Sequence, residues 1–371
     1  MLTVLSVAFP LVAVGPDAVG GAEQVLSMLD AALVAQGHHS IVIACEGSTA
    51  RGTLVTTPAP DGPLSDPSTW ARVHERQRTA IHDALLRWPV DLVHMHGMDF
   101  HRYLPGEGPP VLATMHLPPS WYPAEALAPS RPRTYLNCVS RSQWRACPPE
   151  LAPPFVIPNG VPVDRFDARV RRRGYGAALG RICPEKGFHL ALDAARQAGV
   201  PCLLAGHVFP HETHQRYWRT EIIPRLDRHR RFIGAVGFRD KRRLLSGARC
   251  LLAPSLAPET SSLVAMEALA CGTPVIAFAV GALAEIVEHG RTGFLVHDAQ
   301  GMAAAITMTD TLDADVCRHA ARERFSSDAC VRAYLALYER LVAPPGTPSV
   351  ATIARAASAM TPVTGSAHVR G

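Results

Sequence analysis

Short apolar runs alternate along the chain with segments whose apolar positions recur at helical spacing. LTVLSVAF (2–9) reads as a buried strand, AEQVLSMLDAALVAQG (22–37) as an amphipathic helix and SIVIACE (40–46) as a second buried strand. A helix over about 70–88 follows, then strands in DLVHMHG (91–97), VLATMHL (111–117) and TYLNCVS (134–140). After VIPNGVPVDRF (156–166) the alternation starts again. YGAALGRI, PCLLAGH, RFIGAV, RCLLAPS, TPVIAFAV and TGFLV read as strands; HLALDAARQAG, DKRRLLSGA, SSLVAMEALACG and GALAEIVEHG read as helices. Continuous apolar strands separated by amphipathic helices predict parallel sheets covered on both faces. Two such series joined near residue 160 predict an α/β chain of two facing Rossmann-like domains, with a ligand site between the carboxyl ends of their strands.

The punctuation sets the remaining boundaries. The Pro-, Ser-, Thr- and Gly-rich stretch 48–68 reads as a loop. The expected units are 1–160, 161–325, a helix at 326–343 and a disordered tail at 344–371, whose composition lacks apolar periodicity. At 371 residues the chain is too long for one ordinary core. No apolar run reaches the roughly 18–20 residues of a membrane-spanning helix. The first apolar stretch lacks a preceding basic segment and contains Pro10, so it reads as a strand rather than an export signal. Nine scattered cysteines without metal-ligand spacing read as small core residues in a reducing, cytoplasmic setting.

Charge adds one asymmetry. Residues 1–165 carry 11 basic and 14 acidic side chains, and residues 166–371 carry 26 and 18. The second half is therefore the host expected for an anionic ligand. Nucleic acid is not expected, since aromatics are few and do not interleave with the arginines. A membrane surface is not indicated by an acidic first half. Only two of the 37 basic residues are lysines, Lys186 and Lys241.

The densest chemistry lies in PETSSLVAMEALACGTPVIAF (258–278). Glu259 and Glu267 stand eight positions apart, about 80° beyond two full turns of a helix beginning near Thr260. Both carboxylates can then face one cleft, beside the free amides of Thr260, Ser261, Ser262 and Leu263 at a helix amino terminus, which favours anions. By spacing alone, an N-cap aid and a surface charge explain the pair equally well.

This segment resembles the paired-glutamate signature of the retaining glycosyltransferases of family 4, which have the GT-B fold. GGAEQ (20–24), IPNGV (157–161), GRICPEKG (180–187) and GALAEIVEHGRTGFLV (281–296) resemble further motifs of that family, in the same order, and the likeness spans nearly all of 1–340. The resemblance implies transfer of a sugar from a nucleoside-diphosphate sugar to an acceptor that the sequence does not identify, with retention and without metal or other cofactor. It implies that Arg181 and Lys186 hold the donor diphosphate, that Glu267 binds the ribose hydroxyls and that Glu259 sits against the donor sugar. Gly20 and Gly21 would let backbone approach the phosphates or the sugar, and the amides of Ser261, Ser262 and Leu263 would complete the site. The family pattern usually has glycine about three residues after the first glutamate; here Ser262 stands in its place. His116 resembles a histidine placed beside the donor sugar, and the last helix would cross back onto the first domain.

Other groups weigh less. His94 and His96 share one strand face without a third ligand; HETH (211–214) reads as a solvated helix start, and Asp313 and Asp315 as helix residues. The free protein is expected to leave Arg181 and Lys186 without tight acidic partners, and Lys241 to be an exposed helix position. Rival readings are a nucleotide-sugar epimerase on the same fold, which needs no acceptor, and a non-catalytic subunit, against which the intact Arg181, Lys186, Glu259 and Glu267 argue. A nicotinamide oxidoreductase lacks support, because GPDAVGG departs from GxGxxG spacing.

Overall fold

The computed structural model describes residues 1–151, 154–168, 170–171 and 173–343. The expected tail lies outside the described residues. Two wholly parallel sheets organise the chain. The first contains β1 (Thr3–Val7), β2 (His39–Cys45), β3 (Thr53–Thr57), β4 (Leu92–Met95), β5 (Val111–Met115), β6 (Thr134–Cys138) and β7 (Phe155–Val156), in the order β3-β2-β1-β4-β5-β6-β7. The second contains β8 (Gly176–Leu179), β9 (Cys202–Ala205), β10 (Arg230–Phe232), β11 (Cys250–Ala253), β12 (Val275–Phe278) and β13 (Gly293–Val296), in the order β10-β9-β8-β11-β12-β13. Their central strands are buried along their whole length, which is why they read as unbroken apolar runs.

Strand order reverses at β1/β4 and at β8/β11. Loops diverge at such points and leave a crevice at the carboxyl ends of the strands. The glycine loop that follows β1 and the Arg181–Lys186 turn that follows β8 both start there.

Three boundaries differ from the sequence expectation. The stretch 48–68 is not all loop, because TLVTT forms β3 at the sheet edge, paired in register with Ile41–Cys45. Three of its five residues are threonine and only Thr57 is buried, which masks the strand signal. The helix carrying Glu267 spans Leu263–Ala270 rather than starting near Thr260. Pro258 and the polar Thr-Ser-Ser run leave this approach irregular, and the Thr260 hydroxyl donates across the cleft to the His116 carbonyl at 2.8 Å. GALAEIVEHG holds only a four-residue helix, Leu283–Ile286.

The Ser327–Val342 helix lies against the first sheet. Its Val331, Tyr334, Leu337, Tyr338 and Leu341 pack with Val4, Leu29, Leu33, Leu92 and Leu112. The chain reaches it beside the segment that joins the two sheets, where Val161 N donates to Phe325 O at 2.8 Å and Ser327 N donates to Val161 O at 2.9 Å.

Candidate active site

The second sheet supplies the charged wall. Lys186 ends a short turn, and Gly187 (φ +62°) redirects the chain into the Phe188–Gln197 helix. A side chain at Gly187 would meet the Pro254 carbonyl at 2.2 Å, so only glycine lets this turn close on the 254–262 segment. Leu256 N donates to Glu185 O at 2.7 Å and locks the two loops together. Gly281 (φ +56°) does the same for Glu259: its Cβ would lie 2.3 Å from Glu259 O, and Ala282 N donates to that oxygen at 2.7 Å.

Each signature glutamate has a lysine. Lys186 Nζ donates to Glu259 Oε1 at 2.5 Å, and Ser255 Oγ donates to the same oxygen at 2.5 Å. Lys241 Nζ donates to Glu267 Oε1 at 2.5 Å, with only 15% and 5% of the two side chains exposed. Burial raises the Glu267 pKa and Lys241 opposes that rise. Lys241 also lies 5.5 Å from the centre of the Phe166 ring, which packs on Phe238.

Both lysine expectations are therefore corrected. Lys186 is tightly paired, and Lys241 is a largely enclosed partner of Glu267 rather than an exposed position. Sequence distance hid both pairs, which are 73 and 26 residues apart. The rarity of lysine was the one available signal for Lys241. Arg181 is exposed and has no ion-pair partner among the described residues.

The first sheet supplies a different wall. Gly20 precedes the Gly21–Ala35 helix, and a Cβ on Gly21 would lie 3.4 Å from the Leu263 side chain across the cleft. Glu23, overlooked in the sequence, folds back over Gly20, where a Cβ would stand 1.8 Å from Glu23 Oε2. Burial raises its carboxyl pKa, while Arg181 opposes the rise from the other wall. His116 follows β5, and its Nε2 lies 3.1 Å from Nδ1 of His96, with the rings stacked at 5.4 Å. Desolvation lowers the His116 pKa to about 4 and pushes His96 well below the ordinary imidazole range. His94 instead belongs to the packing of the last helix: its ring nitrogens meet Tyr338 Oη at 2.7 Å and Thr114 Oγ1 at 2.8 Å.

Two buried polar atoms at the cleft lack protein partners among the described residues, His96 Nε2 and Ser261 Oγ. Ser262 caps the Leu263–Ala270 helix by backbone position, without a side-chain hydrogen bond. Phe238 N donates to Asp17 Oδ1 at 2.8 Å, a further contact across the cleft. Between the walls lies a cavity of about 520 Å³ bordered by Gln24, Met28, Arg165, Lys241, Leu263 and Glu267. A separate cavity of about 600 Å³ beside the Pro67–Arg87 helix contains none of the signature residues.

Among the described residues one group could hold a metal. The ligand atoms of Cys183, Glu185 and His214 lie within 4.8 Å of one another. His214 Nδ1 is buried and has no hydrogen-bond partner among the described residues, so HETH is not simply a solvated helix start.

Residues 175–309 match the family described as "Glycosyl transferases group 1". The chain is 34% identical over 198 residues to a glycogen synthase of Mycobacterium tuberculosis, covering 48% of this chain and 46% of that protein. It is 33% identical over 196 residues to a phosphatidyl-myo-inositol mannosyltransferase of the same organism, covering 48% and 49%. The chain thus spans about half the length of the curated relatives it matches. Over nearly its full length its fold matches the sucrose-phosphate synthase of Thermosynechococcus elongatus (TM-score 0.75, 20% identity, 91% of this chain and 99% of that one). It also matches Anabaena HepE in complex with UDP and glucose (TM-score 0.71, 18% identity, 91% and 100%). The fold is GT-B.

Proposed function

We propose that the chain is a retaining glycosyltransferase that takes its sugar from a nucleoside-diphosphate donor, as members of family 4 do. One observation carries this reading: Lys186, on the turn that also bears Arg181, pairs with Glu259 on the approach to the Leu263–Ala270 helix, and Leu263 at the start of that helix faces Gly21 across the cleft. In this reading the second domain (161–325) binds the donor and the first (1–160) the acceptor, with the last helix bracing the first. The relatives named as a glycogen synthase and a mannosyltransferase, and the neighbour holding UDP and glucose, support the same chemistry.

Arg181 and Lys186 neutralise the diphosphate as the glycosidic bond breaks, where fixed cations stabilise developing charge most effectively. The amides of Ser261, Ser262 and Leu263 add the partial positive charge of a helix end. Glu267 accepts hydrogen bonds from the ribose diol through a carboxylate held by Lys241. Glu259, anchored by Ser255, meets the donor sugar once the diphosphate shares Lys186, and His116 lies on the sugar's other side. The Glu23 carboxyl turns back over Gly20, and in this reading no covalent nucleophile takes part. Departure and attack then occur on one face, within an ion pair, and the leaving phosphate helps deprotonate the acceptor.

The test is a thermal-shift panel of UDP-, GDP- and ADP-sugars followed by an anomeric assignment of product by NMR. A donor at 100 times its Kd adds about 2.7 kcal/mol of stability. Absence of any shift across the panel, or an inverted product, overturns the reading.

A further inference from the structure

Cys138 ends β6, and Cys147 follows the short Arg141–Arg145 helix. Their sulfur atoms lie 3.7 Å apart. Cys138 is fully buried, whereas Cys147 is partly exposed. A disulfide needs sulfurs at about 2.05 Å, so each would move by only about 0.8 Å. The two thiols are also chemically unequal. The hydrogen bond between them lowers the Cys147 pKa and raises that of Cys138. An accessible, more acidic thiol beside a buried one is the arrangement of an attacking and a resolving cysteine.

The intervening segment bears on the cleft. Gln143 Oε1 accepts from Val139 N at 2.7 Å, while its Nε2 donates to Met115 O and Leu117 O, each at 2.8 Å. Those carbonyls flank His116. Cys147 Sγ contacts Gln143 O at 3.5 Å. A bond between the sulfurs would therefore join the segment that supports both sides of His116.

We propose that Cys138 and Cys147 form an oxidisable pair that closes into a disulfide with a peroxide as oxidant. The Cys147 thiolate attacks one peroxide oxygen; the O–O bond breaks and hydroxide leaves, giving a sulfenic acid. Cys138 attacks that sulfur, the S–S bond forms, the S–O bond breaks and water departs with the Cys138 proton. Counting the proton Cys147 released, two thiols and one peroxide give one disulfide and two waters. The pair oxidises whether or not the chain transfers sugar.

Trypsin separates the two cysteines into peptides 134–141 and 146–165. The full-length protein is treated with hydrogen peroxide, alkylated and mapped by mass spectrometry without reduction. The expected product is these peptides joined, lighter by two hydrogens, and separated again by dithiothreitol. Cys147→Ser should abolish the joined species and leave Cys138 a thiol. Cys138→Ser should leave a Cys147 sulfenic acid that dimedone traps. Recovery of both wild-type peptides as singly alkylated thiols, or of Cys147 as sulfinic acid with no joined species, overturns the proposal. The wild-type map decides this even if the Cys138 variant fails to fold.

Discussion

The two walls of the cleft solve the cost of burying polar groups in opposite ways. The wall from the second sheet keeps its charge and pairs it, Lys186 with Glu259 and Lys241 with Glu267. The wall from the first sheet gives up charge: His96 and His116 are held neutral by desolvation and joined by a hydrogen bond and ring stacking, with His94 neutral behind them in the packing of the last helix. A buried ion pair returns its desolvation cost only when its geometry is good, so each lysine fixes the orientation of its glutamate. A neutral histidine has no comparable cost and can face an uncharged hydroxyl. Under the proposed function, fixed charge meets the phosphates and neutral imidazole meets the sugar and acceptor.

The largest expected effect tests the charged wall. Lys186→Ala should lower kcat by about 10²–10³, the loss seen when one transition-state donor is removed, with a smaller loss in donor affinity. Lys186→Arg should recover only part, because a planar fork does not replace a point charge. Arg239, exposed on the Phe238–Gly247 helix, is the control that Lys241 can no longer be. Steady-state kinetics on the three variants measure this, and equal damage at Arg239 would reduce the site to a diffuse basic field.

Next is the second pair. Lys241→Met strands a buried carboxylate and should cost about 3 kcal/mol in urea unfolding. Lys241→Met with Glu267→Gln should restore most of that stability while donor binding stays weak. A double variant no more stable than the single one would show that the pair does not set the cost.

The neutral wall should respond to pH. His116 and His94 have folded pKa values near 4 and 3, below an ordinary value near 6.5. Between those limits the unfolded chain binds protons that the native one refuses. The stabilisation is thus complete above about pH 6.5 and lost as pH falls toward the folded values, by about 1.4 kcal/mol per unit for each independent histidine. Urea midpoints at pH 7 and pH 5 measure this, and His116→Asn should flatten the curve. A profile unchanged by that substitution would mean that His116 binds its proton equally in the folded and unfolded chain. His116→Ala should also lower transfer by about tenfold, or about 1.4 kcal/mol, without matching loss of nucleotide binding. Unchanged turnover would leave the histidine a structural part.

The smallest expected effect concerns residues 344–371. Ending the chain at Ala343 should leave Tm and nucleotide binding nearly unchanged, measured by scanning calorimetry. A marked fall would show that residues 344–371 dock on the fold.

Much of this was legible in the residues. Unbroken apolar runs and helical spacing give the two parallel sheets, because a strand buried on both faces must be apolar throughout. Motif order marked Arg181, Lys186, Glu259 and Glu267 as one group. The strand Thr53–Thr57 was lost because an edge strand is only partly covered and tolerates threonine at three of its five positions. Glu23 was hidden inside a glycine motif, where nothing local signals that its carboxyl turns back to the cleft.

The sequence by itself determined the fold class and most of the helix and strand succession, since these follow from local periodicity and turn chemistry, while the charged residues at the strand ends were marked by resemblance to a family's motifs. The tertiary structure alone decided which charges are paired. Lys186 and Glu259, Lys241 and Glu267, and the sulfurs of Cys138 and Cys147 meet through chain segments that periodicity does not relate. Whether a charged group stands free or neutralised depends on burial and on the partner the fold delivers, and neither is a property of its neighbours in the chain.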